Sequence, residues 1–284
     1  MIVAVPPSFA RPELLASADW LAENVSRPGV RSIDCRWRVD GTARQLFARA
    51  HIPGAAFLDW TTELVDPAPG RPYRLAGPDQ LARALARAGI GDGMTIVLYD
   101  DTASFHAARV WWSLQVYGFD SVRILDGGWH AWLASGRPTS TATQAPEPAT
   151  FTPRADPRRR LATSDVRALI GSRDVVLVDT RNPAEYLGQQ ATTHRYGHIP
   201  GAVNVPAALL TAPGAGTFLD AAALLRLFRD RGVNRERRVV TYDTAGLGAA
   251  KAAFVLALLG YREVAVYDPG WPEWSEREDL PVES

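Results

Sequence analysis

His51-Ile-Pro-Gly-Ala55 and His198-Ile-Pro-Gly-Ala202 are the same five residues, 147 positions apart in a chain of 284. A Pro-Gly pair marks a turn, and here it leads each time into a strand-compatible run. Other echoes keep the order. Leu15-Ala-Ser-Ala-Asp19 returns as Leu161-Ala-Thr-Ser-Asp165, with Ser17 and Thr163 placed to N-cap the helices that follow. Ser32-Ile-Asp-Cys-Arg36 returns as Leu177-Val-Asp-Thr-Arg181, a β-rich run entering an Asp-x-Arg turn. Asp101-Thr-Ala-Ser-Phe-His-Ala-Ala-Arg109 aligns without a gap on Asp243-Thr-Ala-Gly-Leu-Gly-Ala-Ala-Lys251, and Gly128-Trp-His-Ala-Trp132 on Gly270-Trp-Pro-Glu-Trp274. Matches kept in one order identify a duplicated chain.

The duplication divides the sequence into a first copy over residues 1–145, a linker over 146–160 and a second copy over 161–284. The stretch from Pro138 to Arg160 is rich in Thr, Ala and Pro and ends in three arginines, a composition that reads as extended linker. In the second copy, short β-rich runs at Val175–Asp179, Ala202–Val205, Arg238–Tyr242 and Val264–Tyr267 alternate with helical patterns at Ala221–Arg231 and Ala249–Leu259. Such alternation predicts an α/β fold, with a parallel sheet flanked by helices in each copy. Ligands of such sheets bind beyond the carboxyl ends of the strands. The turn that begins at Asp243 is therefore the first place to look for a site.

Composition narrows the function. Hydrophobic residues make up 46% of the chain and charged residues 22%, enough apolar surface for packed cores. Lys plus Arg and Asp plus Glu both number 31, so no global field draws the chain to nucleic acid or anionic membrane. The start, Met1-Ile-Val-Ala-Val-Pro-Pro7, has no basic segment followed by an apolar stretch, and a cytoplasmic location is expected. Cys35 is the single cysteine, which rules out an internal disulfide and a cysteine-based zinc cluster.

With these motifs assembled, the chain resembles the tandem-domain rhodanese family, which includes thiosulfate and 3-mercaptopyruvate sulfurtransferases. The paired His-Ile-Pro-Gly-Ala pentapeptides, the Asp-x-Arg turns, Asp126-Gly-Gly-Trp129, and Gly270-Trp-Pro-Glu-Trp274 followed by Asp279-Leu-Pro-Val282 carry the resemblance. It implies a non-catalytic first copy and a second copy whose active loop reads Cys-x-x-Gly-x-x-Ala. Here the loop is Asp243, Thr244, Ala245, Gly246, Leu247, Gly248 and Ala249: glycine and alanine match, and Asp243 stands where the family nucleophile is implied. Rhodanese chemistry needs a thiolate to take the outer sulfur of a donor and hold it as a persulfide. A carboxylate oxygen is a poor nucleophile toward that sulfur, so loss of persulfide transfer is expected.

Backbone N–H groups ahead of a helix form an anion-binding nest, so Asp243 reads as a built-in plug or N-cap. The alternative is an active enzyme, either a thiosulfate or 3-mercaptopyruvate sulfurtransferase working by another route or one that uses Asp243 as acid, base or nucleophile on another substrate, with Arg181 and Lys251 as counter-charges. The resemblance places Arg181 near the pocket, so it joins the loop as a candidate anion- or substrate-binding residue. A structural ion pair with Asp179, Glu185 or Asp243 is the competing role. By the gapless alignment, Asp101 holds the position of Asp243 in the first copy.

His51 and His198 recur at one place in both copies, which favours a turn-fixing role. Cys35 is replaced by Thr180 in the second copy and reads as a small core residue. Trp111, Trp112, Trp129, Trp132, Trp271 and Trp274 lack interleaved basic residues and read as core and interdomain packing. No metal-ligand spacing and no nucleotide fingerprint occur, so neither metal nor organic cofactor is expected. The expected partners are a small anionic or sulfur-containing ligand, or a protein.

Overall fold

The computed structural model describes residues 8–70, 73–143, 146–191 and 193–284. It contains two five-stranded parallel sheets of one topology. The first takes β1 (Leu15–Ala16), β2 (Val30–Asp34), β3 (Ala56–Phe57), β4 (Thr95–Tyr99) and β5 (Val122–Leu125) in the order β1-β5-β4-β2-β3. The second takes β6 (Arg160–Leu161), β7 (Val175–Asp179), β8 (Val203–Asn204), β9 (Arg238–Tyr242) and β10 (Val264–Tyr267) in the order β6-β10-β9-β7-β8. Every pairing is parallel.

The strands read as continuous apolar runs because helices cover both faces of such a sheet. Ile96, Val97, Leu98 and Tyr99 are all fully buried, as are Val239, Val240, Thr241 and Tyr242. The helices Phe105–Val116 and Leu247–Leu258 follow these central strands, and nearly every residue in both is buried. A helix covered on all sides needs apolar residues all round, which accounts for the Ala-rich run from Ala249 to Ala257.

Two compact units result. Of the described residues, one comprises Glu13–Pro157 with Ala212–Thr217, the other Arg158–Thr211 and Phe218–Ser284 with residues 8–12. The stretch 146–157 is anchored chain. Asp92 donates its N–H to Thr150 O at 2.9 Å, Arg154 to Tyr117 O at 2.9 Å and Asp156 to Val116 O at 2.8 Å. Phe151 is buried with its ring 5.1 Å from that of Phe119.

The strand expectations agree closely in β7, β9 and β10, whereas β8 is shorter than expected. Ser17 caps its helix, accepting the Trp20 N–H at 3.0 Å. Thr163 does not: it is the first helical residue, the cap position is Ala162, and the Asp165 carboxylate accepts the Ala162 N–H at 2.8 Å. The Thr163 hydroxyl bonds Tyr267 Oη at 3.0 Å and Glu273 instead, because it is buried beside them.

Candidate functional site

β9 ends at Tyr242, and Asp243 begins the turn into the helix Leu247–Leu258. The turn closes on Gly246 at φ +75°, a left-handed conformation that favours glycine. This geometry directs backbone N–H groups at the Asp243 carboxylate. Oδ1 accepts the Gly246 N–H at 2.5 Å and Oδ2 accepts the Gly248 N–H at 2.7 Å. The helix dipole adds to the favourable potential there. Gly248 leaves no room for a side chain: a Cβ would lie 2.9 Å from Thr180 Oγ1 and 3.1 Å from Asp243 Oδ2. Behind the turn, the Asp243 carbonyl accepts the Trp271 N–H at 2.8 Å. Asp243 is buried, at 8% exposure.

The first unit repeats this arrangement around a different residue than the gapless alignment indicates. Tyr99 pairs with Asp34 in the register that pairs Tyr242 with Asp179, and the Asp100 carbonyl accepts the Trp129 N–H at 2.8 Å. Asp100 is therefore the counterpart of Asp243. The helix caps align as Ser104 with Gly246, so the first copy carries one extra residue in its loop. That extra residue displaces Asp101, which forms an ion pair with Arg38. Burial opposes ionisation of Asp101, but the Arg38 hydrogen bonds and charge prevail and hold its carboxyl below the usual range.

The Asp100 carboxylate fills its nest. Oδ1 accepts the N–H groups of Thr102 and Ser104, both at 2.9 Å, and Oδ2 those of His106 and Ala107, both at 2.8 Å. The shared Tyr-Asp dipeptides at 99–100 and 242–243 are the sequence signal for this pairing.

Of the predicted site residues, Thr244, Ala245 and Leu247 form the half-buried rim of the turn, while Gly246, Gly248 and Ala249 are buried with Asp243. Arg181 is paired with Asp179. Its Nε donates to both Asp179 oxygens at 3.0 and 3.1 Å, its Nη2 to Asp179 Oδ2 at 2.5 Å and to Gly197 O at 2.8 Å. The guanidinium lies 4.5 Å above the Trp271 ring. Burial works against its charge, yet the Asp179 hydrogen bonds outweigh it and raise its pKa. Arg36 repeats the arrangement on Asp34, Ala50 O and the Trp129 ring. A motif built alike in both units is architecture. Lys251 lies fully buried in the same helix, one turn beyond Leu247, its Nζ donating to Thr211 Oγ1 at 3.1 Å.

His51 and His198 each tie their turn to a segment late in the same copy. His51 Nδ1 is 2.7 Å from Phe47 O with its ring stacked on Phe47, and its backbone bridges to Ser140. His198 Nδ1 is 2.8 Å from Tyr186 O with its ring stacked on Tyr186, and its backbone bridges to Glu283. Cys35 is fully buried; burial first, then the charges of Asp100 and Asp34, pushes its thiol well above the ordinary range. A thiol so placed is not a nucleophile at neutral pH. Trp111, Trp112, Trp129, Trp132, Trp271 and Trp274 are all buried. Among the described residues no helix is long and apolar enough to cross a membrane, and no three His, Cys, Asp or Glu side chains gather as a metal site.

Comparison with known proteins covers the chain almost end to end. A family model described as rhodanese-like domain matches twice, at residues 17–135 and 162–277. The chain is 33% identical to the sulfur carrier protein TtuD of Thermus thermophilus over 96% of its own length and 98% of the relative's. It is 35% identical to a thiosulfate sulfurtransferase of Rattus norvegicus, covering 93% of this chain and 92% of that one. Among solved structures, the 3-mercaptopyruvate sulfurtransferase SseA of Escherichia coli matches with a TM-score of 0.83 at 29% identity, over 91% of this chain and 98% of that one. EanB bound to ergothioneine shares the fold, with a TM-score of 0.87 at 23% identity over 97% of this chain and 71% of that one.

Proposed function

This chain belongs to the rhodanese-like family, and from that membership we propose that it is a sulfurtransferase relative that has lost persulfide transfer, with Asp243 standing in place of the sulfur-carrying cysteine. In the active reaction a thiolate attacks the outer sulfur of the donor. The bond to the donor breaks, the cysteine holds the sulfur as a persulfide, and cyanide or a thiol removes it. Asp243 supplies a carboxylate already held by two N–H groups, a weak nucleophile toward sulfane sulfur and a weak store for it. The single cysteine is remote from this role, being sealed in the first unit.

The observation that carries the reading is the likeness of the two loops. In each, an aspartate immediately after the central strand turns its carboxylate into its own N–H nest, Asp100 in one unit and Asp243 in the other. A nest filled from within needs no bound anion for its stability. The retained function is recognition of a small anionic or sulfur-containing ligand, or of a protein, at the rim formed by Thr244, Ala245 and Leu247.

The test compares wild type with Asp243→Cys for sulfur release from thiosulfate to cyanide and from 3-mercaptopyruvate to a thiol. The variant is expected to gain transfer, because a thiolate at that position meets the N–H groups of Gly246 and Gly248. The wild type is expected to show none. Transfer by the wild type refutes the proposal; a folded but inactive variant shows that the rim has diverged as well.

A further inference from the structure

Three neighbouring strands of the second unit begin with arginine beside an acid. Arg173-Asp174 precede β7, Glu236-Arg237 precede β9 and Arg262-Glu263 precede β10. The register sets Val175 against Arg238 and Val239 against Val264, so the three starts share one edge of the unit. Backbone bonds tie them together: the Arg238 N–H donates to Asp174 O and the Val239 N–H to Glu263 O, both at 2.9 Å. Arg158 joins the group, its carbonyl accepting from Arg238 Nη2 at 2.9 Å. This edge lies at the end of the sheet opposite the Asp243 turn.

Several of these arginines are fixed without being neutralised. Arg235 Nη2 donates to Leu259 O at 2.5 Å with the guanidinium 5.9 Å from the Tyr261 ring, and Arg237 donates to Val175 O. A carbonyl orients a guanidinium and leaves its charge in place. Arg158, Arg173, Arg235 and Arg262 are exposed. The duplicated unit shows that the topology does not require them. The first unit carries fewer there: the two residues before β2, β4 and β5 are Pro28-Gly29, Gly93-Met94 and Asp120-Ser121, and Arg27 is the nearest arginine ahead of these strands.

We propose that this edge of the second unit is a docking face for an acidic segment of a protein partner. Its charge is mixed: six arginines at 158, 173, 235, 237, 238 and 262 stand among Asp174, Glu236 and Glu263. Six arginines against three acids leave an excess of positive charge that complements a short acidic segment, and the interspersed acids break up the continuous run of positive charge that a phosphate backbone would follow. Three strand starts span only about 10 Å at ordinary strand spacing, a patch rather than a track. Tyr261, the aromatic ring at the edge, is buried and offers no base-stacking platform.

The experiment measures anisotropy of a labelled poly-L-glutamate oligomer titrated with the full chain at low ionic strength, beside an oligouridylate of equal charge. The test variant is Arg173→Ala/Arg235→Ala/Arg262→Ala, all exposed positions at this edge. The control removes the same charge from the other unit through Arg27→Ala/Arg49→Ala/Arg83→Ala, also exposed. Polyglutamate affinity is expected to fall roughly tenfold in the test variant and less than about twofold in the control. Equal losses in both variants, tighter binding of the oligouridylate, or no polyglutamate binding by the wild type would each overturn the proposal.

Discussion

Replacing Asp243 by alanine separates a structural carboxylate from a catalytic one. The wild-type side chain accepts two N–H groups at 2.5 and 2.7 Å at 8% exposure. Hydrogen bonds to a charged group contribute about 1.5–3 kcal/mol each, and truncation leaves the donors buried. Release of a desolvated carboxylate offsets part of that loss. The net destabilisation expected for Asp243→Ala is about 3 kcal/mol, or a Tm lower by roughly 10 °C for a unit of this size. Asp100, which accepts four N–H groups, is expected to lose at least as much on the same change. Urea denaturation with thermal melts, in chloride and then in sulfate, provides the assay. An emptied nest binds anions, so sulfate at about 100 times its Kd should return about 2.7 kcal/mol to the variant while leaving the wild type nearly unchanged. A variant as stable as wild type, or more stable, would refute the plug and point to a residue held at a cost for chemistry.

Three further outcomes follow from the same geometry. Gly270→Ala places a Cβ onto the Asp243 carbonyl oxygen at φ +64° and should cost well over the roughly 1–2 kcal/mol of the left-handed conformation alone; Gly201→Ala, at φ +74° with open space around it, should cost only that, by denaturant midpoint. Arg181→Ala strands a fully buried Asp179 carboxylate and should destabilise by about 3–5 kcal/mol with a change in tryptophan emission, since the guanidinium covers Trp271; a loss below 1 kcal/mol by urea titration contradicts the pairing. Cys35 should resist a thiol reagent in the native state and react fully in denaturant. Because burial raises its pKa when folded, the unfolded chain loses this proton first, so stability should decline as pH rises past about 8.5, a limb that Cys35→Ser removes.

The fold was legible because duplication writes each landmark twice. The His-Ile-Pro-Gly-Ala turns, the Asp-x-Arg turns and the Gly-Trp helix starts recur in order, and each is fixed by local chemistry: a turn, a carboxylate with its neighbouring guanidinium, a glycine against a carbonyl. The strands β7, β9 and β10 were equally readable, since a parallel strand buried on both faces must be a short continuous apolar run. The Thr163 cap and the equivalence of Asp101 were not. Both depend on which partner a polar side chain reaches in three dimensions.

By itself the sequence determined that the chain is two copies of one α/β fold, that a single cysteine is present and that an aspartate opens the decisive turn. Only the tertiary structure decided that Asp100, not Asp101, is the counterpart of Asp243, because one inserted residue shifts the loop while strand register and the Gly-Trp contact hold the aspartate in place. It also decided which acid Arg181 pairs with, Asp179 among the three carboxylates that the sequence offered. Linear spacing sets which groups come near one another; burial and register select which of them share a proton or a charge.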